Sequence, residues 1–165
     1  MGESERFALA PLFGTGGGGA LVEHIPHCTR IGMEVLETGP RTATVRLPWR
    51  EELVGDPGRG VVFGGVITTL LDHAGGLAVF CSLPELKAIA TLDLRIDYLR
   101  AAAPGAALVG RAECYKLTTH VAFVRATAWD HTPDDPFASA LGTFMVGANP
   151  TESPVARAMK ERIGG

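Results

Sequence analysis

The stretch GGVITTLLDHAGGLAVFC, residues 64–81, decides the fold. Val66, Leu70, Leu77 and Phe80 form one stripe at helical spacing, with Ile67, Leu71, Ala74, Ala78 and Cys81 beside it. As a continuous helix it spans about 27 Å, and because it is apolar nearly all round it is expected to be buried. On both sides of it the hydrophobic period falls to two. Upstream, 31–37 and 41–47 read as strands around the turn Thr38-Gly39-Pro40, and residues 48–60, rich in Glu, Gly, Asp and Pro, read as a loop. Downstream, ATLDLRIDYLR (90–100) sets Leu92, Leu94, Ile96 and Tyr98 against Thr91, Asp93, Arg95 and Asp97. Further strands are expected at 107–116, 121–130 and 137–146, joined by short turns and therefore forming an antiparallel meander. With a short irregular helix over 20–28, the order is two strands, one buried helix and four strands. This is an α+β domain whose sheet curls around the helix.

Residues 1–19 end in GTGGGG and read as a flexible leader, 20–148 as a single domain, and 149–165 as a polar tail. With 165 residues, 46% of them apolar, the chain is long enough for a real core without disulfides or metal. Fifteen basic against eighteen acidic residues give a net charge of −3 with no basic stripe, which argues against nucleic acid as a partner. No apolar run approaches the roughly 20 residues of a membrane span, and MGESERFALAPLF lacks a basic start followed by an apolar signal core. A soluble, cytoplasmic protein is expected. Cys28, Cys81 and Cys114 are odd in number and never arranged as CxxC, so reduced buried thiols are expected. His24, His27 and Cys28 are the one cluster that suggests a metal, but Pro26 interrupts the helix they would share and no second ligand cluster exists. No metal site is assigned.

Asp72 demands an explanation, because an ionised carboxylate in an apolar helix is costly unless paired or used. One turn away lie Thr68, Thr69, Gly75 and Gly76, small side chains that leave room for something to approach. Two readings stay open: Asp72 caps a loop or bonds a threonine hydroxyl without chemistry, or it is a functional carboxylate. Gly64 and Gly65 open the same helix, where first-turn N–H groups have no intrahelical acceptor and suit an oxyanion; an ordinary glycine turn is the alternative. Gly65 and Asp72 stand about 10 Å apart along the axis, too far to meet at one carbonyl. Two copies with antiparallel helices about a two-fold axis would bring Gly65 of one beside Asp72 of the other.

The segment Gly60-Val-Val-Phe-Gly-Gly-Val-Ile-Thr-Thr-Leu-Leu-Asp72, followed by His73-Ala-Gly-Gly, resembles the central motif of PaaI-like hotdog-fold acyl-CoA thioesterases: His-Gly-Gly, six residues, then Asp or Glu. The resemblance extends over about residues 31–147, and ATLDLRIDYLRAA looks like the family's strand after the helix, with its polar position on Thr91. It implies a hotdog fold and a homodimer whose sheets join, often paired again into a tetramer, with acyl-CoA sites at the subunit interface. It further implies Asp72 as general base or nucleophile, the Gly65 N–H as donor to the oxyanion, and Thr91 holding the water or the carboxylate. Phe63, Gly64 and Thr69 would line the substrate site, and no cofactor is needed, coenzyme A being part of the substrate.

Two positions depart from the family. Phe63 stands where the family has His and can neither donate to a carbonyl nor share a proton; it either packs on an acyl group or fills core space. The family's polar residue, often Asn, falls on Pro57, beside Asp56. The expected activity is hydrolysis of an acyl or aryl thioester of coenzyme A. Loss of His at 63 supports a rival, a non-catalytic acyl-CoA-binding or regulatory protein, and weakens another, an acyl-thioester hydratase or dehydratase. His73 points about 100° away from Asp72 around the helix and forms no dyad with it. Arg95, Arg100, Lys116 and Arg125 are candidate contacts for coenzyme A phosphates, though solvated strand charges explain them equally.

Overall fold

A computed structural model of the protein describes residues 25–148, apart from residue 86. The leader, the tail and residues 20–24 of the expected first helix lie outside the described residues. Helix α1 spans Pro26–Ile31, with Pro26 in its first turn and Gly32 ending it at φ 78°, where the Gly32 N–H reaches the carbonyls of Cys28 and Thr29. That helix takes in Ile31, so the first strand starts later than its apolar run suggested. Strand β1 spans Glu34–Gly39 and β2 Thr42–Leu47. In the turn between them Arg41 has φ 64° and is held by its Nε, which donates to the Cys114 carbonyl at 2.7 Å.

The expected loop after β2 carries structure. A 3-10 turn at Glu51–Leu53 leads into β3 (Val54–Asp56), which pairs antiparallel with β4 (Val61–Val62). The Phe63 N–H then donates to the Leu53 carbonyl at 2.9 Å and sets the start of α2, Gly64–Phe80. Gly55 permits this close return, since a Cβ there would lie 2.9 Å from the Phe63 Cα.

Strands β5 (Ala88–Tyr98), β6 (Leu108–Leu117), β7 (Val121–Trp129) and β8 (Ala138–Ala148) complete an antiparallel sheet of order β1-β2-β6-β7-β8-β5. The meander is therefore confined to β6-β7-β8. Strand β5 pairs with β8 rather than with its sequence neighbour β6, and the connection 99–107 leads from this edge strand past β8 and β7 to the interior strand β6. Arg100 anchors the crossing. Its guanidinium grips both oxygens of the fully buried Asp130 carboxylate at 2.7 and 2.8 Å, and Asp130 also accepts the Ala103 N–H.

Helix α2 lies across β2, β6 and β7. Leu70, Leu71, Ala74, Leu77 and Ala78 are buried there against Val45, Leu47, Ala112, Val124 and Ala126. The small residues of the sheet let the helix come close, as at Gly110, where a Cβ would stand 3.0 Å from Leu70 Cγ. The α+β expectation of one long helix on an antiparallel sheet holds, in the hotdog arrangement. The helix is not buried all round, however. Thr68 is exposed, and Gly65, Thr69, Asp72 and Gly76 are only half-buried, forming a face that the rest of the described chain covers only in part.

Candidate active site

The open face of α2 carries the carboxylate. Thr91 Oγ1 donates to Asp72 Oδ1 at 2.8 Å, joining the middle of the helix to the near end of β5. Simple alternation places Thr91 on the opposite face from Leu94. The structure resolves this with a bulge: Thr91 pairs with Phe144 and Asp93 with Thr143, so Leu92 is the extra residue. Thr91 thereby joins the helix-facing side, and Leu92 is left 55% exposed.

At the helix start the Val66 N–H bonds to the Phe63 carbonyl, while the N–H groups of Gly64 and Gly65 have no acceptor among the described residues. Gly65 is thus an available donor, on the same face as Asp72 but about 10 Å from it along the helix. The structure brings Asp72 and Thr91 together and leaves Gly65 apart from both within one chain. The hydroxyl of Thr69 is spent on the Gly65 carbonyl at 3.0 Å, leaving it only acceptor capacity toward a substrate. Gly64 is held by Tyr98, whose hydroxyl donates to the Gly64 carbonyl at 3.1 Å and lies 3.4 Å from Thr68 Oγ1. Tyr98 is a site-shaping residue that the sequence showed only as one apolar member of an alternating strand. Phe63 does not fill core space: it is 62% exposed, and its ring lies over Gly65, where a Cβ would come 2.6 Å from Cε1.

His73 places its Nδ1 3.8 Å from Cys28 Sγ and, among the described residues, makes no hydrogen bond to Asp72. Burial pushes the imidazole down to about 4, so it is neutral near pH 7. Burial, and secondarily the Asp72 charge, push the Cys28 thiol up. This is a neutral structural pair tying α1 to α2. Among the described residues no group of three His, Cys, Asp or Glu side chains is placed to hold a metal, and no helix is long and apolar enough to cross a membrane. Of the candidate phosphate contacts, Arg95 pairs with Asp97, Arg100 with Asp130 and Asp135, and Arg125 with Glu113.

Behind the Asp72–Thr91 contact lies a cavity of about 230 Å³ between the second half of α2, β5 and β8. Its walls include Ile25, Leu77, Phe80, Ile89 and Phe144, with Gly76 on the helix side. A carboxylate oriented by a hydroxyl, a helix start with free N–H groups and an apolar cavity are the parts needed for attack by water on an acyl group.

Comparison with known proteins points the same way. The model of the family described as "Thioesterase superfamily" matches residues 59–136. A protein of Halobacterium salinarum is 43% identical over 75 residues, 44% of this chain and 50% of that one, so the match spans half of that relative's length. The medium/long-chain acyl-CoA thioesterase YigI of Escherichia coli is 28% identical over 144 residues, covering 79% of this chain and 91% of its own. Among solved structures, a Pseudomonas aeruginosa protein is 38% identical, with a TM-score of 0.69 over 77% of this chain and 96% of that one. A variant of the phenylacetic acid degradation protein PaaI of Thermus thermophilus is 27% identical, with a TM-score of 0.64 over 73% and 97%.

Proposed function

The chain belongs to the thioesterase superfamily and is PaaI-like in its hotdog fold, and on that footing we propose that it hydrolyses acyl thioesters of coenzyme A. The observation that carries this reading is the Thr91–Asp72 contact on a helix face left open beside an apolar cavity. Asp72 takes a proton from water as the oxygen attacks the thioester carbonyl. The oxyanion that forms accepts from the Gly65 N–H of a second copy, and collapse breaks the carbon–sulfur bond to give the free acid and coenzyme A, whose sulfur takes up the proton. Thr91 holds the carboxylate in place. The partly open face of α2, exposed at Thr68 and half-buried at Gly65, Thr69 and Asp72, supports a homodimer, or a dimer of dimers, with sites shared between subunits. The reaction calls on no metal or redox cofactor, and the proposed location is the cytoplasm. One observation favours a second reading, acyl-CoA binding without turnover: Phe63, in the place of the family's His, packs its ring over Gly65.

A mixed-subunit experiment tests the shared site. Asp72→Asn and Gly65→Val chains are each expected to be inactive alone. In a randomly reassorted mixture, half the dimers carry one intact site, so activity should return to about a quarter of wild type. A mixture as inactive as its parents contradicts a site built from two chains.

A further inference from the structure

The paired glycines of α2 do different work. A Cβ on Gly75 would stand 3.0 Å from Cζ and 3.2 Å from Cε2 of Phe144, a side chain packed in the core, so Gly75 is needed for the helix to seat on the sheet. A Cβ on Gly76 would meet only Ile89 Cδ1 at 3.6 Å and Phe144 Cε1 at 3.9 Å, which is ordinary contact. The helix does not need a glycine at 76 in order to pack. Gly76 does line the cavity, one turn beyond Asp72 on the same face, and any side chain there would project into it.

We propose that Gly76 sets the depth of the acyl pocket, and that the pocket takes a medium-length acyl chain running from Asp72 along the glycine toward Phe80. The inference rests on the thioesterase reading for the identity of the occupant. Leu77, Phe80, Ile89 and Phe144 offer the chain an apolar path. At about 230 Å³ the cavity is about half again as large as one of ~150 Å³ that takes a benzene ring, which corresponds to roughly eight or nine carbons. Longer chains must leave the cavity, and their extra methylenes gain little.

The test measures dissociation constants for non-hydrolysable thioether analogues of acetyl-, butyryl-, octanoyl- and palmitoyl-CoA, with the full chain as wild type, Gly76→Ala and Gly76→Val. Wild-type affinity should rise to octanoyl and then level off. In Gly76→Val the octanoyl analogue should weaken about tenfold more than the butyryl one, a loss typical of misfitted methylenes, and Gly76→Ala should fall between the two proteins. Because Gly76→Ala adds one methyl group at ordinary contact distance, it keeps the test open should Gly76→Val fold poorly. Affinity that climbs steadily to palmitoyl, or a chain-length profile that neither variant alters, overturns the proposal while leaving the thioesterase reading intact. Failure of every analogue to bind overturns both.

Discussion

Replacing Asp72 with Asn should lower kcat on a good acyl-CoA substrate by about 10³-fold, the scale of losing a positioned general base. KM should change by only a few-fold. The exchange keeps the shape and the acceptor oxygen for the Thr91 hydroxyl, which donates to Oδ1 at 2.8 Å, but an amide cannot take the proton from water. Folding should be nearly unaffected, because Asp72 is half-buried on the open helix face and makes no ion pair among the described residues. Steady-state kinetics beside a thermal unfolding curve check both halves. A loss confined to KM would recast Asp72 as a binding group, and full retention of turnover would remove it from the mechanism.

The largest stability effect outside the apolar core is expected at Asp130. Its side chain is fully buried, it accepts from two Arg100 nitrogens and the Ala103 N–H, and it pins the crossing from β5 to β6. Asp130→Ala strands these donors and should cost about 3 kcal/mol, lowering Tm by roughly 10 °C. The effect carries a pH signature. The Arg100 hydrogen bonds, aided by the Ala103 N–H, hold the Asp130 carboxyl well below the usual carboxylate range. A group depressed in the folded state stabilises fully above its unfolded value near ~4 and loses that contribution as pH falls through the folded one. The gap in Tm between wild type and variant should therefore be constant near neutrality and narrow below about pH 4. A gap that widens in acid would contradict the assignment.

Much of the fold was legible because its signals are local. The helix expected over 64–81 forms over Gly64–Phe80, and the strands at 107–116, 121–130 and 137–146 form within a residue or two of those bounds. What was not legible is non-local or breaks a period. Short loops suggest neighbouring strands, yet β5 pairs with β8 through a crossing held by an ion pair thirty residues away in sequence. Alternation in 90–100 cannot reveal the bulge at Leu92, and that bulge is what turns Thr91 toward the helix. The β3–β4 hairpin is too short and too rich in glycine to carry a period at all. Asp72 stood out as a charge in an apolar run, whereas Thr91 came only from the family resemblance, and Tyr98 gave no polar signal because its hydroxyl acts at the far edge of its ring.

The central claim, that this hotdog protein turns over acyl-CoA at Asp72, is tested most directly by thiol release from a panel of short, medium, long-chain and aromatic acyl-CoAs with the purified full chain. Steady release of one free thiol per acid formed, greatest for a medium-length acyl group, is the predicted result. Acyl-CoAs that raise Tm by binding but release no thiol would contradict it and establish the non-catalytic reading in its place.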